Sequence, residues 1–189
     1  MRERRHVLVT GAPRSGNHTA SRYFRWQGRD VPLLQMGEDG SCSWLLFREH
    51  QVVHRPDWRY PVRRRDYEFD RVLHLVRDPI KVIRSLSQML CPGADLPHVH
   101  WRFMADLGVP LPQDRLGAAL VLWTTVVAGV EADETVRLED WDPPFWEGAH
   151  PDHPRLTWRE VVEAQPGLGE RARQMAADLG YPAHDEHGG

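Results

Sequence analysis

The chain has 189 residues, a formal net charge of −3, and 27% charged against 41% hydrophobic residues, the balance of a soluble globular protein forming one domain over 1–189. The acidic balance argues against a general nucleic-acid binder, and the two cysteines, Cys42 and Cys91, lack the spacing of a disulfide framework or a zinc site. No apolar run approaches the ~18 residues of a membrane span, so the expectation is a cytoplasmic protein without a membrane partner.

The first element is a short continuous apolar run, Val7 to Thr10, of the kind found in a parallel sheet. It runs into "GAPRSGNHT", which predicts a tight loop, and then into an apolar stripe at Ala20, Tyr23 and Phe24, which predicts a helix from Gly16 to Trp26. A strand, a glycine-bearing loop and a helix start leave backbone N–H groups unpaired at the positive end of a helix dipole, which suits an anion. Gly11 and Gly16 have the spacing of a P-loop, but Asn17 stands where that motif needs lysine and His18 where it needs the magnesium-binding hydroxyl. Arg14 is the only side-chain cation between the glycines.

An edge strand is predicted at Val31 to Gln35 and an apolar segment at Trp44 to Phe47. The next strand, Arg71 to Val76, is followed by Arg77, by Asp78 as a helix N-cap and by Pro79 as a first helical residue. Val82, Ile83, Leu86, Met89 and Leu90 give that helix a buried face with Ser85 at its edge. Arg77 then sits at the carboxyl end of a strand beside a helix start, where open α/β sheets take ligands, and an arginine fork with a hydroxyl can hold a phosphate. An irregular stretch is read from Cys91 to Pro112. A long helix (Gln113 to Ala132), a strand (Thr135 to Leu138), a loop (Asp142 to Pro154) and a last helix (Leu168 to Leu179) complete the chain. The alternation predicts an α/β fold, a mostly parallel central sheet flanked by helices.

Two stretches resemble the motifs of the sulfotransferases that use 3′-phosphoadenosine 5′-phosphosulfate (PAPS). "GAPRSGNHT" is similar to their 5′-phosphosulfate loop, and "VLHLVRDPIKVIRS" to their 3′-phosphate motif, a strand ending in Arg-x-Pro with a serine eight residues after the arginine. Weaker likeness continues through Arg137, Glu139 and Asp140, read as scaffold, to the C-terminal helical segment; the family's C-terminal glycine-bearing phosphate loop is not apparent. The resemblance implies a P-loop-like three-layer fold and an enzyme that moves a sulfonate from PAPS to a hydroxyl or amine, in line and without a metal. It implies that Pro13, Arg14, Ser15, Gly16, Asn17, His18 and Thr19 hold the 5′ end of the donor, and that Arg77 and Ser85 hold its 3′-phosphate. Arg14 takes a catalytic part by neutralising the leaving oxygen. The family's base lies between the two motifs, where "LLFREHQVVHRP" offers His50, with Glu49 and His54 as alternatives. The acceptor is expected to be a small molecule or a soluble partner. Two other readings stay open: a kinase with a degenerate P-loop, and a non-catalytic nucleotide-binding protein of the same fold.

Overall fold

The computed structural model describes residues 2–48, 52–53, 62–90, 98–141 and 156–183. Among them are six helices and a four-stranded, all-parallel sheet in an α/β arrangement. The chain divides into two compact units, one of 1–76 with 126–140 and one of 77–125 with 141–189.

The first unit holds the sheet. Strand β1 (Glu3–Thr10) leads into helix α1 (Asn17–Trp26) and then strand β2 (Gly40–Cys42). A two-residue strand pair follows, β3 (Val52–Val53) antiparallel to β4 (Val62–Arg63), and then the long strand β5 (Tyr67–Val76). Strand β6 (Glu134–Arg137) closes the order β2-β1-β5-β6. The apolar carboxyl halves of β1 and β5 form the floor of the core: Leu8, Val9 and Leu75 are fully buried, and each such side chain contributes about 1.5–3 kcal/mol on leaving water.

Both central strands start four residues earlier than the apolar runs predict. Their polar halves stay in register, Glu3 opposite Tyr67 and Arg5 opposite Phe69, with the Arg4 guanidinium donating to Asp70 at 2.6 Å. Backbone pairing carries the ladder past the end of the core, a cross-strand effect that a search for apolar runs does not see.

Strand β2 is also displaced from its predicted place at Val31 to Gln35, where only Leu33 makes a single bridge, to Cys42. The strand is instead the short small-residue run Gly-Ser-Cys. Gly40 has φ +151°, and a Cβ there would stand 1.8 Å from the Val7 carbonyl oxygen, so close pairing with β1 requires a glycine. The segment Trp44–Leu46 is one buried 3₁₀ turn, with the Ser43 hydroxyl accepting from the Leu45 N–H. Cys42 is buried, and desolvation raises its thiol pKa strongly, as fits a packing residue; Cys91 lies outside the described residues.

The second unit carries helix α2 (Pro79–Met89), helix α3 (His98–Asp106), most of helix α4 (Arg115–Gly129), helix α5 (Trp158–Ala164) and helix α6 (Pro166–Asp178). The caps explain their limits. Asp114 accepts from the Gly117 N–H at 2.6 Å to start α4, and Thr157 with Glu160 forms a capping box on α5. Helix α3 occupies part of the stretch read as irregular from Cys91 to Pro112, which corrects that reading: Phe103 and Met104 are buried there. Gln165 separates α5 from α6, and Pro166 opens α6 as its first residue.

Candidate anion-binding site

The sheet order places a topological switch between β1 and β5. After β1 the chain passes outward to β2 on one side; after β5 it next joins the sheet at β6, on the other. Sheets of this kind bind ligands outside the carboxyl ends of the two strands at the switch. The loop 11–16 begins at that end of β1.

Close packing against β5 dictates the loop's first residue. A Cβ on Gly11 would lie 2.1 Å from the backbone oxygen of Leu75, which cannot swing aside. A turn follows, closed by the Ser15 N–H on the Ala12 carbonyl at 3.1 Å. Arg14 lies in the left-handed region at φ 72°, an unusual place for a residue with a Cβ, and Gly16 does so at φ 103°. These two positive-φ residues bend the chain sharply into α1.

The head of α1 is suited to an anion. Its N-cap, Gly16, has no side-chain capping bond, and the first turn carries no acid. The Ala20 N–H donates to the Gly16 carbonyl at 2.9 Å, so the amides of 17–19 come before the helical ladder. Nothing on the helix opposes the dipole's attraction for negative charge.

Burial sorts the loop side chains into two groups. Arg14 and His18 are exposed, whereas Pro13, Ser15 and Asn17 are buried. The Asn17 amide donates to the Ala12 carbonyl at 3.4 Å and braces the loop from within. The Ser15 N–H is engaged in the turn, so the groups presented outward are the Arg14 and His18 side chains and the first-turn amides.

Sequence reasoning missed two further features of this unit. Leu138 is buried, and a Cβ on Gly16 would come 2.6 Å from its Cδ2, so the turn that follows β6 backs the loop. This 3₁₀ turn, Leu138–Asp140, belongs to the Arg137, Glu139 and Asp140 stretch read as scaffold, and it packs at the loop through Leu138.

The second feature is a polar row. Thr10 on β1 is opposite His74 on β5, and Ser41 on β2 is opposite Leu8, so all three polar side chains share one sheet face. All are buried, and Thr10 Oγ1, Ser41 Oγ and His74 Nε2 have no hydrogen-bond partner among the described residues. Burial lowers the His74 pKa to about 4, so the ring is neutral near pH 7. A histidine inside an otherwise apolar strand run was the available signal.

In the second unit, the start of α2 follows the sequence reading. Asp78 is the N-cap, accepting from the Ile80 N–H at 3.1 Å, and Pro79 is the first helical residue. Arg77 and Ser85 are both half-buried. Lys81 pairs with Asp78 at 3.3 Å, and Arg84 and Ser85 fall three and four residues after Lys81, so the helical period puts these three side chains on one side of α2. His50, Glu49 and His54 lie outside the described residues, as do 142–155. Among the described residues no group of three or more His, Cys, Asp or Glu is placed to hold a metal ion, and no helix is long and apolar enough to cross a membrane. Comparison with models of protein families, with curated proteins and with solved structures finds no match.

Proposed function

We propose that the protein is a sulfotransferase that moves a sulfonate from PAPS to a hydroxyl or amine of a small or soluble acceptor. The observation that carries this reading is the loop at the β1 switch: a glycine-ended turn into an uncapped, acid-free helix head, with Arg14 inside the loop, Asn17 where a P-loop has lysine and no hydroxyl at the magnesium position. The proposal includes a P-loop-like three-layer arrangement of the fold and a cytoplasmic location. It assigns the 5′ phosphosulfate to Arg14, His18 and the first-turn amides, with Pro13, Ser15 and Asn17 shaping the loop and Gly16 and Thr19 completing it. Arg77 and Ser85 are assigned to the 3′-phosphate by the resemblance of their motif.

The residues fit the anionic end of such a donor, since the loop carries an exposed arginine and leads into the positive end of the α1 dipole, both of which favour negative charge. In the step proposed, the acceptor's proton passes to a base, taken as His50. The acceptor oxygen or nitrogen forms a bond to sulfur as the bond from sulfur to the 5′-phosphate oxygen breaks, and the electron pair leaves with that oxygen. Arg14 neutralises the charge developing there.

Incubation with PAPS and a metabolite extract, read by mass spectrometry, tests the proposal. An added sulfonate in the presence of EDTA is expected. Transfer of phosphate from ATP, lost with EDTA and restored by magnesium, would replace this reading with a kinase; binding without turnover on any acceptor class would replace it with a non-catalytic nucleotide-binding protein.

A further inference from the structure

The exit of α1, at the far end of the helix from the loop, carries a surface that the donor-binding reading does not use. Residues 25–30 are all exposed, and Trp26, at 62% exposure, is the most exposed large hydrophobic side chain among the described residues. Its ring leans on Tyr23, with centroids 6.1 Å apart. Arg25 and Arg29 flank it, and neither has a carboxylate partner among the described residues.

The backbone under these side chains is fixed. Gly28, at φ 76°, ends α1 in a Schellman turn: the Arg29 N–H donates to the Phe24 carbonyl at 2.9 Å and the Gly28 N–H to the Arg25 carbonyl at 3.0 Å. Beside the turn is a cleft of about 310 Å³ lined by Arg25, Gly28, Arg29, Asp30, Val31 and Pro32. Val31 is buried and gives the cleft an apolar floor. Asp30, the one acid in the lining, is engaged by the Glu38 N–H at 2.7 Å.

We propose that this surface docks an acidic peptide segment of a partner protein, with carboxylates on Arg25 and Arg29, one apolar side chain in the cleft that these arginines line, and the exposed Trp26 ring covered by the same segment. Arginine forks match carboxylates in two-point geometry, and exposed tryptophan and arginine are the side chains on which interface energy concentrates. The apolar floor selects a peptide over a phosphate chain, which has no apolar group to place there. A membrane surface fits poorly, because Ala20 and Phe24 on the apolar side of α1 are already buried and leave a single ring for lipid. The proposal does not depend on the sulfotransferase reading.

The test uses the full chain and a fluorescein-labelled nine-residue peptide of glutamates around a central leucine, followed by fluorescence anisotropy. Saturable binding that weakens with salt is expected, with about a tenfold loss for Trp26→Ala and at least that for Arg25→Gln with Arg29→Gln. Arg65→Gln, an exposed arginine elsewhere in the same unit, should leave binding unchanged. All these positions are exposed, so the variants fold, and circular dichroism checks that they do. Absence of binding, equal binding of a glutamine-for-glutamate peptide, or indifference to the α1 substitutions overturns the proposal. Phosphatidylglycerol vesicles captured with the same dependence on Trp26 would overturn it in favour of a membrane surface.

Discussion

Replacing Arg14 by glycine and, separately, by alanine separates the loop's backbone from its charge. Both variants lose the guanidinium and every interaction it makes, so their difference reports only the backbone at φ 72°. Alanine keeps the Cβ that clashes in the left-handed region, a cost of about 1–2 kcal/mol, whereas glycine does not. Against this, glycine gives the unfolded chain more freedom, about 0.5–1 kcal/mol. At mid-range values the glycine variant should therefore be more stable than the alanine variant by about 0.75 kcal/mol, a melting difference of roughly 1.5–3 °C for a domain of this size. Binding should behave differently. Adenosine 3′,5′-bisphosphate should bind both variants equally and about 10- to 100-fold more weakly than the parent chain, the loss of one charge-assisted contact. Scanning calorimetry and titration calorimetry on the three proteins measure both. An alanine variant as stable as the glycine variant would refute the left-handed loop, and unchanged bisphosphate affinity would refute the role given to the charge.

Gly11→Ala should lower stability by about 3 kcal/mol, near the upper end of overpacking costs, because the new Cβ would meet the Leu75 carbonyl oxygen at 2.1 Å; a thermal melt should show a drop of roughly 6–12 °C, and a drop under 1 °C would contradict the close approach. His74 gives a pH signature. Its folded pKa of about 4 lies below the ordinary 6.5, so between these values the unfolded state binds more protons, and stability falls as pH falls through this window by about 3 kcal/mol in all. His74→Gln should flatten that stretch of a urea-denaturation pH series while leaving the lower-lying loss from Asp70, whose carboxyl is held down first by its bond from Arg4 and then by that from His6. A slope unchanged in the variant would contradict a buried neutral ring. His50→Ala should cut sulfonate transfer by roughly 10²- to 10⁴-fold with little change in donor affinity, measured by initial rates; near-normal turnover would pass the role of base to Glu49 or His54.

What the sequence made legible follows from local chemistry. The Asp78–Pro79 start of α2 and the loop-to-α1 junction are written in residues with strong backbone preferences, and the structure keeps both within one residue. The strands were legible only where they are apolar. Their polar beginnings depend on a partner strand, and β2 depends on the approach of Gly40 to Val7, neither of which leaves a periodic trace. At the site, the presence of Arg14 was legible but its left-handed backbone was not, since nothing local requires a non-glycine residue to adopt it. Leu138 came to the loop through sheet order, and His74 faces Thr10 through register; both are long-range facts.

The central claim is that the nucleotide held is a 3′-phosphorylated one, and the most direct measurement is titration calorimetry of adenosine 3′,5′-bisphosphate, AMP and ATP against the parent chain and Arg77→Ala. The bisphosphate is expected to bind the parent far better than AMP or ATP. In Arg77→Ala it should lose about 10- to 100-fold, at 1.5–3 kcal/mol for a charge-assisted bond, while AMP hardly changes. Equal affinity of the parent for bisphosphate and AMP, or equal weakening of both in Arg77→Ala, would contradict the account.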